Sequence, residues 1–102
     1  MLANASFAST LPVQRSETLE TAIKGDHYRI VGLLSQSLFG ALDESVTLRL
    51  KELGFLPGCD VQVIGFGLLG HDPLAVRVNG TKFALRRAEA AKICVERLEA
   101  AQ

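Results

Sequence analysis

The stretch Leu48-Arg49-Leu50-Lys51-Glu52-Leu53-Gly54-Phe55-Leu56-Pro57-Gly58 constrains this chain more than any other. It reads as the last turns of a helix, an abrupt stop and a launch into extended chain. Glycine just past a helix adopts the left-handed conformation without a Cβ penalty. With Gly54 at that position, the Schellman ending brings Phe55 back over Leu50. Pro57 then forbids the helix from resuming. The residues before this point are expected to deliver one helix, and those after it strands.

The segment beyond the stop bears this reading out in its pattern. Asp60-Val61-Gln62-Val63-Ile64 alternates, with Val61 and Val63 inward. Gly65, Gly67 and Gly70 allow bends or bulges. Leu68-Leu69-Gly70-His71-Asp72-Pro73 is a loop, since proline cannot sit in a central ladder. Leu74-Ala75-Val76-Arg77-Val78 is the next strand. Asn79-Gly80 tolerates positive φ at both positions, as the tight type I′ hairpin demands. That turn sets the register: Val78 faces Thr81, Arg77 faces Lys82, Val76 faces Phe83 and Leu74 faces Leu85. The apolar pairs then share one face. Residues 86–92 suggest a single helical turn, and Ile93-Cys94-Val95-Glu96-Arg97-Leu98 a closing strand.

Upstream, residues 1–17 are rich in Ala, Ser and Thr and lack a sustained period. They read as a loose arm, with a partner-binding tail using Phe7 and Leu11 as the alternative. Leu19 and Ile23 mark a short turn ending on Gly25. His27-Tyr28-Arg29-Ile30-Val31-Gly32-Leu33 is a strand, with Tyr28 and Ile30 on one face. Residues 35–41 connect it to the helix, which Asp43 or Ser45 can cap. Val46, Leu50 and Leu53 form the buried stripe of that helix, and Leu48 lies on its far side.

One helix and about five short strands make a mainly β domain over residues 18–99, with 100–102 as a tail. Closing such strands into a small barrel removes their edges around one core, so an SH3-like barrel with one α-helix and short helical turns is expected. Basic and acidic residues balance at 11 each, so the chain lacks the positive excess of a sequence-independent nucleic-acid binder. Cys59 and Cys94 are far apart and form no metal-ligand pair, as suits a buried thiol pair in a reducing cytosol. No apolar stretch approaches the ~20 residues of a membrane span, and no charged lead precedes the small apolar residues at the start. A cytoplasmic location follows as the expectation.

Catalytic motifs are missing: there is no nucleophile motif, no phosphate loop and no patterned partner for either histidine. The chain is read as a non-enzyme that needs no cofactor. Asp26-His27 and His71-Asp72 each pair an imidazole with a carboxylate, a donor set that suits Zn(II) or Fe(II). Two adjacent ligands hold an ion only weakly, since a tight site needs three or four. On the outward hairpin face Arg77 stands opposite Lys82, with Arg86 and Arg87 further along. That basic stripe could meet an acidic protein surface or an anionic leaflet.

Taken together, Tyr28-Arg29-Ile30-Val31-Gly32-Leu33, the Arg49 to Gly58 helix stop, Gly70-His71-Asp72-Pro73 and Ala84-Leu85-Arg86-Arg87-Ala88-Glu89-Ala90 resemble the FeoA family of bacterial ferrous iron transport. The resemblance covers most of the chain. It implies an SH3-like barrel without catalytic activity and a partner, the membrane Fe(II) transporter FeoB. The same barrel also occurs in metal-dependent repressors, whose other domains this chain has no room for. The loop departs from the family's common Gly-Asp-Pro by inserting His71. The expected contacts with FeoB are Leu48 and Phe55 at the helix end, Leu68 and Leu69 in the loop, and Arg77, Lys82 and Arg86 on the hairpin. The alternative is a metal-responsive module that binds Fe(II) or Zn(II) at Asp26, His27, His71 and Asp72. Neither nucleic acid nor membrane insertion is expected, and weak self-association is left open.

Overall fold

The computed structural model describes residues 16–67 and 72–98. Six antiparallel strands form one sheet in the order β1-β6-β2-β3-β4-β5. They are β1 (Ser16–Thr18), β2 (His27–Leu33), β3 (Asp60–Phe66), β4 (Leu74–Val78), β5 (Thr81–Leu85) and β6 (Ile93–Arg97). Helix α1 (Asp43–Leu53) lies between β2 and β3, and the single turn α2 (Arg87–Ala90) joins β5 to β6. Short 3-10 segments, Leu19–Thr21 and Ser37–Leu42, precede β2 and α1. One strand more than expected is present, because Ser16 and Glu17, read as part of the arm, pair with β6.

The inward residues of β2, β3, β4, β5 and β6 meet in one cluster with Leu19, Leu50, Phe55 and Ala90. The sheet therefore wraps its own core in the manner of a barrel, but β1 and β5 do not pair and the barrel stays open. Tyr28 is fully buried, and its hydroxyl accepts a hydrogen bond from the Ile23 amide at 2.9 Å, which meets the need of a buried phenol.

The helix stop forms as expected. Gly54 has φ +111°, the Phe55 amide donates to Leu50 O at 3.0 Å, and the Gly54 amide donates to Lys51 O at 3.0 Å. These are the two bonds of the Schellman ending. Leu50 and Phe55 are both fully buried, while Val46 and Leu53 pack against the core from its margin. Leu48, on the opposite side of α1, is exposed.

The hairpin register agrees pair by pair with the sequence reading. Asn79 and Gly80 both take positive φ, +52° and +78°, so a two-residue turn twists with the strands it joins. The pairing of β3 with β4 slips between Val63 and Gly65, the bulge that the glycines permit. Gly67 answers a different need. A Cβ there would meet Pro73 Cδ and Asp72 O at 2.7 Å, so only glycine lets the two arms of the loop approach this closely.

The start of α1 departs from expectation. Neither Asp43 nor Ser45 caps the helix through its side chain. Asp43 is drawn away by a buried cation, described next.

Candidate partner-binding surfaces

Lys92 is the one charged side chain among the fully buried residues of the described structure. Its ammonium donates to Leu34 O at 2.9 Å and to Asp43 Oδ1 at 2.5 Å, and lies 5.7 Å from the centroid of the Phe39 ring. The same Asp43 oxygen accepts the Gln36 amide at 3.0 Å. A buried ammonium is tolerated only when paired and hydrogen-bonded, and these partners meet that requirement. The hydrogen bond from Lys92 holds the Asp43 carboxyl below its ordinary range. Desolvation opposes it, while the Gln36 amide and the positive charge of Lys92 reinforce it.

This network ties the end of β2, the second 3-10 segment and the start of α1 to the residue preceding β6. The tied segment carries an apolar shelf. Leu38 and Leu42 are 73% and 65% exposed, and Val31, Leu34 and Leu48 are each about half exposed. A groove of about 360 Å³ runs beside it, lined by Leu33, Leu34, Asp43, Thr47, Leu48 and Lys51. Leu34 and Leu48 line this groove together, and Leu38 and Leu42 lie exposed on the segment between β2 and α1, which makes this the candidate interaction surface. Sequence reading found only Leu48 of this set. The signal available was Leu38, Phe39 and Leu42 within a connection, where apolar residues have no strand or helix to bury them.

The second surface is basic. Arg77 of β4 faces Lys82 of β5, and Arg86 follows β5. All three are exposed, and none has an acidic partner among the described residues. Arg87 differs, since its guanidinium lies 3.9 Å from Glu20. Arg49 pairs with Glu89 at 2.9 Å. Of the five basic side chains without an ion pair among the described residues, Arg77, Lys82 and Arg86 lie together on the β4–β5 hairpin and its end, while Lys24 and Lys51 lie elsewhere in the chain.

Phe55 does not belong to either surface. It is fully buried, its ring packed 5.6 Å from that of Phe83 with a 53° tilt. The Schellman ending turns it inward, so it serves the core rather than a partner. Leu68, Leu69 and His71 lie outside the described residues.

The remaining metal candidates have other work or stand apart. Asp26 pairs with Arg97 at 3.5 Å. Asp72 accepts the Arg87 amide at 3.0 Å, capping α2 from across the loop. His27 is exposed at the start of β2, opposite Gln62, and lines a cleft of about 550 Å³ with Cys59, Asp60 and Arg77. Among the described residues no group of three or more His, Cys, Asp or Glu side chains is placed to hold an ion. Both cysteines are free thiols of intermediate exposure, not the buried pair that was expected. Among the described residues no helix is long and apolar enough to cross a membrane.

Comparison with known proteins then bears on what such a barrel serves. The sequence matches the family described as the FeoA domain over residues 17–97. A comparison with curated proteins gives no match. Among solved structures the chain is similar to FeoA of Stenotrophomonas maltophilia, at 33% identity and a TM-score of 0.66, covering 78% of this chain and 88% of that one. That protein was solved with zinc and is described as a prokaryotic SH3 domain protein and, as a proposal, a ferrous iron transport activating factor. The chain is also similar to FeoA of Chlorobium tepidum, at 28% identity and a TM-score of 0.68, covering 83% and 73% of the two chains. A FeoA-like protein of Clostridium acetobutylicum shares the fold at 24% identity and a TM-score of 0.70, covering 86% and 93%.

Proposed function

Because the chain belongs to the FeoA family, which is associated with ferrous iron transport, we propose that it is a non-catalytic accessory protein that docks onto the membrane Fe(II) transporter FeoB and affects its assembly, gating or GTPase cycle. The observation that carries this reading is the apolar shelf of Val31, Leu34, Leu38, Leu42 and Leu48, held in shape by Lys92. A barrel with a preformed apolar shelf is suited to binding, because little ordering entropy remains to oppose association. Leu68 and Leu69, which lie outside the described residues, are further contacts of this proposal, and Arg77, Lys82 and Arg86 add charge that steers an acidic partner.

Titration of the protein onto detergent-solubilised FeoB, with and without guanine nucleotide, tests the proposal. Leu38→Glu and Leu48→Glu should each weaken binding at least tenfold at an unchanged thermal midpoint, the penalty of a charge desolvated in an apolar contact. Binding of both variants as tight as the parent's would remove the shelf from the interface. Nucleotide-dependent affinity would make the chain a regulator of the GTPase switch, and nucleotide-independent affinity an assembly factor.

A second reading rests on the zinc complex of the S. maltophilia protein: this chain binds Zn(II) weakly at the His71-Asp72 pair or at the separate Asp26-His27 pair. Zinc titrations of His27→Ala and His71→Ala that match the parent would exclude it.

A further inference from the structure

Strand β5 ends the sheet, and among the described residues nothing pairs with its outer side. The two-residue turn makes Val78 and Thr81 a hydrogen-bonded pair, and the alternation of an antiparallel ladder does the same for Val76 with Phe83 and Leu74 with Leu85. The N–H and C=O groups of Lys82 and Ala84 therefore point away from β4, into the open side. Both residues are exposed. Such a row of donors and acceptors is a template for an added strand.

The side chains around this edge decide what can be added. Lys82 and Ala84 share the outward face with Arg77, and Arg86 follows in the same alternation. Three unpaired positive charges thus flank two open main-chain positions. A second copy of β5 would bring these charges against their equals, which disfavours self-pairing. Residues 1–15 carry no Asp or Glu and one Arg, so the chain's own start does not complement this edge either. An extended segment with carboxylates at alternate positions does: its main chain pairs with Lys82 and Ala84 while its acidic side chains meet Arg77, Lys82 and Arg86.

We propose that the open edge of β5 is a strand-addition site for an extended acidic segment of a partner protein, with Lys82 and Ala84 supplying the main-chain bonds and Arg77, Lys82 and Arg86 the charge selection. The site is separate from the apolar shelf on α1 and stands whether or not the partner at that shelf is the transporter.

The probe is a capped seven-residue peptide of alternating Glu and Val, titrated into the isotopically labelled full chain and followed by amide NMR. Saturable shifts centred on Lys82 and Ala84 are expected, weakening with salt. Ala84→Pro removes an outward donor while leaving the ladder to β4 intact, and should weaken binding about tenfold, the effect of one lost hydrogen bond. The same peptide with its backbone N-methylated at alternate residues keeps the charge but cannot pair. It should lose at least as much against the parent chain, so the test does not depend on how Ala84→Pro folds. Equal binding of the methylated peptide would overturn the proposal in favour of charge attraction alone. So would binding to phosphatidylserine vesicles but not to the peptide. Slow exchange of the Lys82 and Ala84 amides in the free, dilute chain would overturn it as well, because the edge would already be covered from within the chain.

Discussion

Replacing Gly54 by alanine tests the feature on which the fold turns. At φ +111° an L-residue brings its Cβ against the neighbouring carbonyl, a strain of about 1–2 kcal/mol. The added Cβ would also come within 3.0 Å of Asn79 Nδ2. That atom is the tip of a mobile side chain and can withdraw, so the backbone strain dominates. The usual gain from replacing glycine, roughly 0.4–1 kcal/mol through the unfolded chain, arises only where the native conformation suits the new residue, which is not so here. A net loss of about 1–2 kcal/mol lowers the thermal midpoint of a domain this size by roughly 5–15 °C. Urea unfolding should show the midpoint falling with the slope unchanged. Gly32→Ala is the matched control: Gly32 has no positive φ, and no atom stands within 4 Å of its added Cβ. It should stay within about 0.5 kcal/mol of the parent. D-alanine at position 54, introduced by chemical synthesis, suits positive φ and should restore most of the loss. If Gly54→Ala unfolded with the parent's midpoint while Gly32→Ala behaved as described, the left-handed stop would not be what ends α1.

Further outcomes follow from burial and charge. Leu50→Ala should cost about 2–5 kcal/mol in urea unfolding, because Leu50 is fully buried in the core, whereas Leu48→Ala two residues earlier should change stability by less than about 0.5 kcal/mol. Lys92→Met should lower the unfolding midpoint by leaving Asp43 without its cation, and Lys92→Met combined with Asp43→Leu should recover more than half of that loss, since an apolar pair replaces a buried ion pair at little cost; a double variant no better than the single would argue that the pair does not act as a unit. The folded chain holds the Asp43 carboxyl below its unfolded value, so its contribution is complete above that value and is lost as pH falls through the folded one. Urea midpoints measured from neutral pH to below roughly pH 4 should therefore fall more steeply for the parent than for Asp43→Asn, and parallel curves would deny Asp43 this role.

How much of this could be read from the chain depended on how local each cause was. The helix stop at Gly54, the Asn79-Gly80 register and the inward positions of Val61, Val63, Ile93 and Val95 rest on backbone preferences and side-chain alternation within a few residues, and these agree with the structure. The arginine and lysine of the basic face were legible for the same reason, since a known register places Arg77 against Lys82. Phe55 was harder, because a residue just past a helix can turn inward or outward, and only the packing against Phe83 decided it.

The sequence by itself thus determined the mainly β architecture, its one principal helix and the hairpin, because turn chemistry and hydrophobic periodicity are short-range forces. Tertiary structure alone decided the rest. Lys92 and Asp43 are 49 residues apart, and no local pattern tells an exposed lysine from one whose ammonium is enclosed by Asp43, Leu34 O and the Phe39 ring. The apolar shelf exists because that enclosure fixes a segment that propensity leaves undefined. The free edge of β5 exists because closing the barrel would need a pairing with β1 that the fold does not make. In each case the cause is a contact between distant segments, whose energy is set by geometry that forms only when the whole sheet has wrapped around its core.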